Sequence, residues 1–395
     1  MNHDVYQRYL LNSIDLDLFE LTPESFEINA QFKSLKKWIK CFVGPATAEF
    51  HQLNSKKHLA IKDENRNAIL PEFSIEIQGK MFYLSVKGCG AYEDMFFGSN
   101  LNKDNLKNAC RDLSLLNRIE KLSTGQGFIM AESWMGESPY GAQGYVNAFD
   151  ELKFSKIAQY DSINGAYICP VIGVVQLPKN IEEIARNFFW CRTYNDHFYQ
   201  ELRLVPSNVR LYFESFNTIA KPKAIFNLFN LNSSELIEEF ELQFIKSGIA
   251  LLSLFTRSAN ITDNQISGIV YQDVWFDKDC IVAPDGTIHF ADLEGLIWKT
   301  VPKNKFAEIQ KNEWQKLVFE FLFALIKIDS YRLKIDGRSL SWSKQREELS
   351  LLIQLALNND IYAYPKYHNN NLLIVLEGPS IPSIEIPLIE KVKCS

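Results

Sequence analysis

Residues 271–295 read "YQDVWFDKDCIVAPDGTIHFADLEG", with five Asp residues in twenty-five positions. Apolar "CIV" (280–282) runs into a Pro284-Asp285-Gly286 turn, and apolar "TIHFA" (287–291) runs out of it. That pattern predicts a short hairpin. Asp279 stands just before the first strand and Asp292 just after the second, so strand pairing brings the two together. Two carboxylates at one open end suit a hard cation such as Mg²⁺, which takes oxygen ligands. Asp273, in the preceding loop, is placed to approach a reacting hydroxyl. Asp285 serves the turn alone, and Asp277 takes no role. Singly, each Asp reads as an ordinary solvated strand end. Three converging acidic groups are costly without a cation, and this favours chemistry.

Phosphoryl transfer at such a site needs a Lys on a strand to hold phosphates and a Glu on a helix to hold the Lys. "FSIEIQGKMFYLSVKGCG" (73–90) predicts a hairpin. Phe73, Ile75 and Ile77 alternate before a Gly79-Lys80 turn, and Phe82, Leu84 and Val86 alternate after it. Lys87 ends its second strand. "GYVNAFDELKFSKIAQY" (144–160) predicts a helix with Glu151 at its middle, beside Ala148 and Leu152; Glu132 and Glu137 compete for the same role. Gly-rich "GQGFIMAESWMGESPYGAQG" (125–144) is a candidate phosphate cover, because Gly permits close backbone approach and a helix N-terminus favours anions. "CFVGPATAEF" (41–50) is a weaker one.

The remaining elements must position these residues. "YICPVIGVVQLP" (167–178) is apolar and β-branched, which predicts a buried strand. "YQELRLVPSNVRLYFESF" (199–216) alternates, with Pro206 turning its middle into an edge or a turn. Helices are expected at 105–122, 233–256, 305–333 and 344–357. The 233–256 helix opens with a Ser cap and an acidic first turn, and Leu236, Phe240 and Phe244 recur every four residues.

The acidic segment resembles the catalytic and metal-binding loops of protein-kinase-like enzymes: a catalytic Asp, a metal ligand, an apolar hairpin, then Asp-Phe-Gly. Asp279 stands where that family has Asn, and Leu-Glu-Gly follows Asp292. "DGTIHFADLEG" also looks like the "HIDFG" region of lipid kinases. "KGCG" (87–90), with a later helix, resembles the Lys-Gly-Ala-Gly segment of selenoprotein O, the AMP-transferring pseudokinase family. "RLVPSNVRLYFE" (203–214) is similar to that family's Arg-Ser-Arg stretch, sharing Arg203, Ser207, Arg210, Phe213 and Glu214. Cys394 is similar in placement to its terminal selenocysteine or Cys. The resemblance implies an α+β, bilobal kinase-like fold, with a mixed N-lobe over 1–180 and a mainly helical C-lobe over 181–395. It implies ATP and Mg²⁺ as cofactors. Lys87, Glu151 and Arg210 would bind the nucleotide, Asp279 and Asp292 the metal, and Asp273 would act on the acceptor. Phosphoryl or AMP transfer to a hydroxyl, on a protein substrate, is the expected reaction. A nucleotide- or partner-binding scaffold without turnover is the alternative.

Composition agrees with an enzyme-sized globular chain: 395 residues at 46% hydrophobic content are enough for two lobes. A net charge of −6 offers no positive field to nucleic acid. The apolar runs at 249–255 and 317–326 are too short to span a bilayer and read as buried helices. No leader is apparent, and no C-x-x-C pair occurs among the seven Cys, which points to the cytoplasm. No His pair has H-x-x-x-H spacing, so zinc is not expected. A serine hydrolase elbow fails at "GESPYG", where Pro139 and Tyr140 follow Ser138. The Rossmann and P-loop glycine fingerprints are absent. A two-metal phosphatase could use the Asp cluster but would need neither Lys87, Glu151 nor the 203–214 segment.

Overall fold

A computed structural model describes residues 15–39, 41–43, 56–63, 67–88, 143–157, 167–185, 196–210, 222–257, 260–261, 265–271, 279–293, 296–302, 320–321, 324, 328, 362–368, 371–378 and 381–389. Asp273, Asp277, Glu132, Glu137 and Cys394 lie outside these residues, as do the helices expected at 105–122 and 344–357. Within 305–333, the described residues Glu320, Phe321, Ala324 and Ile328 are helical and buried.

In chain order the elements begin with strands β1 (Asp15–Leu21), β2 (Ser25–Ile28), β3 (Cys41–Val43), β4 (Lys56–Asp63), β5 (Asn67–Ile77) and β6 (Lys80–Lys87). Helix α1 (Tyr145–Ile157), β7 (Tyr167–Ile168), β8 (Val171–Gln176), α2 (Lys179–Ala185) and β9 (Tyr199–Val205) come next. Then follow α3 (Pro222–Leu228), α4 (Ser234–Arg257), β10 (Asn260–Ile261), β11 (Gln265–Tyr271), β12 (Cys280–Val282), β13 (Ile288–Phe290) and β14 (Leu296–Pro302). The last strands are β15 (Tyr362–His368), β16 (Asn371–Gly378) and β17 (Ile381–Ile389). The fold is α+β with largely antiparallel sheets. No described helix is long and apolar enough to cross a membrane.

Two compact units are present, Met1–Ala158 with Cys169–Asn208, and Gln159–Ile168 with Val209–Ser395. The divide expected at 180/181 therefore falls at 208/209. The reason is β9, whose backbone pairs with β6 and β8 and so belongs to the first unit.

The first unit is built on one eight-stranded sheet in the order β2-β8-β9-β6-β5-β4-β1-β3. The β5–β6 hairpin turns at Gln78-Gly79, one residue earlier than the sequence suggests. Gln78 has φ 51° and Gly79 φ 77°, the left-handed pair that a tight two-residue hairpin loop requires. Strand β9 is interior to the sheet, and all seven of its residues are buried; of the edge or turn expected at Pro206 the turn is seen, a bend just after the last paired residue, Val205. The run expected as one strand at 167–178 is two. Cys169-Pro170 interrupts it, β8 joins the large sheet, and β7 pairs in parallel with β13.

In the second unit the helix expected at 233–256 forms as α4. Ser233 caps it, its Oγ accepting from the Leu236 amide at 3.3 Å. Phe240 and Phe244 are buried, but Leu236 is 42% exposed and Ile237 takes the inward position. Phe226 of α3 and Phe229 just past its end meet Phe240, and Phe244 stacks on Phe321 at 5.9 Å. Each such buried ring contributes about 1.5–3 kcal/mol. Much of the helix expected in the second lobe, over 305–333 and 344–357, lies outside the described residues. Among the described residues this unit holds the sheets β10-β11-β14, β12-β13-β7 and β15-β16-β17. β17, "IPSIEIPLI", alternates at the strand period, which makes it a strand rather than a helix.

The acidic hairpin is locked to α4. A Cβ on Gly286 would lie 2.2 Å from the Phe240 carbonyl oxygen, and Gly286 has φ +90°. Ser247 Oγ accepts from the Ile288 amide at 2.9 Å while donating to the Gln243 carbonyl at 2.7 Å. Gly286→Ala is expected to lower stability by about 3 kcal/mol. Gly79→Ala, at φ +77° with nothing within 4 Å, should cost about 1 kcal/mol. Urea unfolding of the full-length chain compares the two, and equal costs would show that the hairpin is not seated on α4.

Candidate functional site

Helix α1 presents one face to the sheet, because Ala148, Glu151, Leu152 and Ser155 recur at helical spacing and all are buried. Val146, on the other side, is exposed. Ser155 Oγ accepts from the Val171 amide at 2.9 Å, joining the end of the helix to β8. At its start, Tyr145 stacks on Phe149 at 4.4 Å, and both rings pack edge-on against Tyr199 of β9. The residue before the helix turn, Gln143, exchanges backbone hydrogen bonds with Tyr199. These contacts set the carboxylate of Glu151 against the sheet.

In the antiparallel register Lys87 lies opposite Glu201 and Ser85 opposite Arg203. All four side chains therefore point to one face of the sheet. Glu151 receives two cations there. Its Oε1 pairs with Lys87 Nζ, and its Oε2 accepts from Arg203 Nη2 at 3.1 Å. Arg203 Nε lies 2.7 Å from Glu201 Oε1, within ion-pair range though not aligned as a hydrogen bond. The four residues are 5% (Lys87), 0% (Glu151), 0% (Glu201) and 2% (Arg203) exposed. Their two positive and two negative charges balance. The pairing of Lys87 with Glu151, expected from the sequence, is thus present in the first unit. Glu201 was missed as its neighbour. The available signal was the alternation of Glu201 and Arg203 in an otherwise apolar strand: opposite charges two apart share a face and need partners on it.

In the second unit the hairpin forms as expected. The Ala291 amide donates to the Asp279 carbonyl at 2.7 Å, so the residue before Asp292 is bonded directly to Asp279. Asp279 is buried at 3% exposure, and Asp292 is half-buried. Asp285 does the turn work assigned to it, accepting from the Thr287 amide at 3.0 Å and the Thr287 hydroxyl at 2.6 Å. Arg210 forms a backbone bridge with Ile281, two residues past Asp279. The Val282 amide donates to the Val209 carbonyl at 2.8 Å, which holds the 209–210 backbone along β12. No group of three or more metal-ligating side chains occurs among the described residues. The hairpin pairing therefore brings the backbone of Asp279 beside that of Asp292.

The chain matches no family model, no curated protein and no solved structure.

Two phosphate-cover candidates remain. Residues 125–142 lie outside the described residues, and Cys41–Val43 is strand β3, paired with β1. The link between β4 and β5 is Glu64-Asn65-Arg66, with no glycine. Glu151→Gln leaves two buried cations facing one fewer carboxylate, and a loss of about 3–5 kcal/mol is expected. Lys156→Gln removes a half-exposed pair with Glu27 and should cost less than about 1 kcal/mol. Thermal and denaturant unfolding of both variants measures the contrast.

Proposed function

We propose that this chain is an ATP- and Mg²⁺-dependent transferase of bilobal, kinase-like fold, remotely related to selenoprotein O, that modifies a hydroxyl on a protein. The observation that carries the reading is the buried Lys87–Glu151 ion pair, strand to helix. Lys87 ends the third strand of the antiparallel run β4–β5–β6, and α1 is the next described element, as the Lys–Glu arrangement of kinases requires. The carboxylate pair at the end of the acidic hairpin supports the same reading.

In this reading Lys87 donates to phosphate oxygens, and Glu151 fixes the direction of its ammonium. Asp279 and Asp292 are the metal ligands, and Arg210 is a further cation for the nucleotide. Asp273 orients the acceptor hydroxyl and takes its proton. Mg²⁺, held by Asp279 and Asp292, would supply positive charge to neutralise that developing on the phosphate. The contribution of the protein is positioning and preorganised charge.

A nucleotide-binding scaffold without turnover is favoured by two specific features: the glycine-free link between β4 and β5, and Asp279 where kinases carry Asn. One experiment separates the readings. ATP labelled at the α- or γ-phosphate is incubated with the full-length chain, Mg²⁺ and protein acceptors, alongside metal-dependent thermal shifts. Transfer of γ-label marks a kinase and of α-label an AMP transferase, and Asp292→Ala should reduce either by on the order of 10³-fold. A metal-dependent shift without label supports the scaffold. With neither shift nor label, the nucleotide reading is lost.

A further inference from the structure

We propose that Arg203 is a positioning residue, fixing the Glu151 carboxylate so that it can aim the Lys87 ammonium at a phosphate. The inference rests on the nucleotide reading for its purpose, but its physical basis is separate. Glu151 divides its two oxygens between different cations, Oε1 to Lys87 and Oε2 to Arg203. It is fully buried, so loss of its only nearby cation would cost several kcal/mol. Held by Lys87 alone, the carboxylate would follow every shift of that flexible side chain. Arg203 removes this freedom. Its planar fork faces two carboxylates, Nη2 toward Glu151 and Nε toward Glu201, a geometry that one ammonium cannot copy. Lys87 is also the member of the four at the strand end. Gly88 follows it, with φ +88° and its carbonyl accepting from Gln200 Nε2 at 3.1 Å. Arg203, by contrast, sits two residues inside β9, flanked by pairing on both sides. The cluster therefore has a fixed cation and a terminal one.

The fixed cation should hold Glu151 even without Lys87. In the Lys87→Met chain, Arg203→Met is expected to lower the melting temperature by on the order of 10 °C. Its cost should fall to about half when Glu151→Gln is also present. An equal cost with and without Glu151→Gln overturns the proposal, and so does failure of the Lys87→Met chain to fold, since Arg203 then does not suffice. The second arm reads the purpose. Arg203→Lys keeps the charge and loses the fork. Calorimetric titration with Mg·ATP should show its Kd raised about tenfold while its melting temperature stays within about 5 °C of wild type. A residue of merely structural role predicts an unchanged Kd in that folded variant, and this result would refute positioning. If Arg203→Lys melts further below wild type than that, the thermal cycle decides. If the wild-type chain binds no Mg·ATP, the nucleotide reading fails, and the cycle alone decides whether Arg203 holds Glu151.

Discussion

Charges cannot be taken into the covered face of a sheet one at a time. Each ion loses several kcal/mol of hydration, and only an opposite charge at contact distance offsets the loss. Lys87, Glu151, Glu201 and Arg203 satisfy this condition as a set. The placement of α1 follows from it. Apolar contact alone tolerates a helix shifted by a turn, whereas a carboxylate divided between two cations does not. Small residues at Ala148 and Ser155 let the helix come close enough, and the Tyr145–Phe149–Tyr199 rings steady its first turn.

The second unit reverses this relation. There the backbone brings the charges together. Hairpin pairing joins Asp279 to Ala291, and Gly286 and Ser247 seat the hairpin on α4. The proximity of Asp279 and Asp292 does not depend on the side chains themselves. A substitution at Asp292 therefore leaves that backbone pairing intact, while a change at Glu151 disturbs the placement of α1.

Local pattern was legible wherever it was enforced by nearby residues. The Pro284-Asp285-Gly286 turn, the Ser233 cap and the helical face around Glu151 all rest on interactions within a few positions. The Lys87–Glu151 pair was legible because two local readings, a strand end and a helix middle, each exposed one partner. What could not be read was long-range. The place of β9 inside the sheet depends on partners more than a hundred residues earlier, in β6, so Pro206 left an edge and a turn both open, and it marks the bend that ends the strand. The same distance hid Glu201. Strands 362–389 were passed over because no motif drew the reading there, although β17 alternates plainly. The φ values at Gln78 and Gly79 moved the hairpin turn by one residue, since Gln is not a residue usually expected in a left-handed position.

The strand order of the first unit carries one more consequence. β1 and β2 are joined by only Thr22, Pro23 and Glu24, yet they occupy the seventh and first places of the eight-stranded sheet. In a flat sheet their separation would be about 29 Å, six interstrand spacings. The link from Leu21 to Ser25 reaches at most about 14 Å. The sheet must therefore roll upon itself until its two ends meet across that short tether. A rolled sheet shields the edges that an open one offers to other chains. The N-terminal segment that tethers the two ends pairs with β4 soon after it but with β8 only much later, so the roll can be completed only after most of the unit has been synthesised.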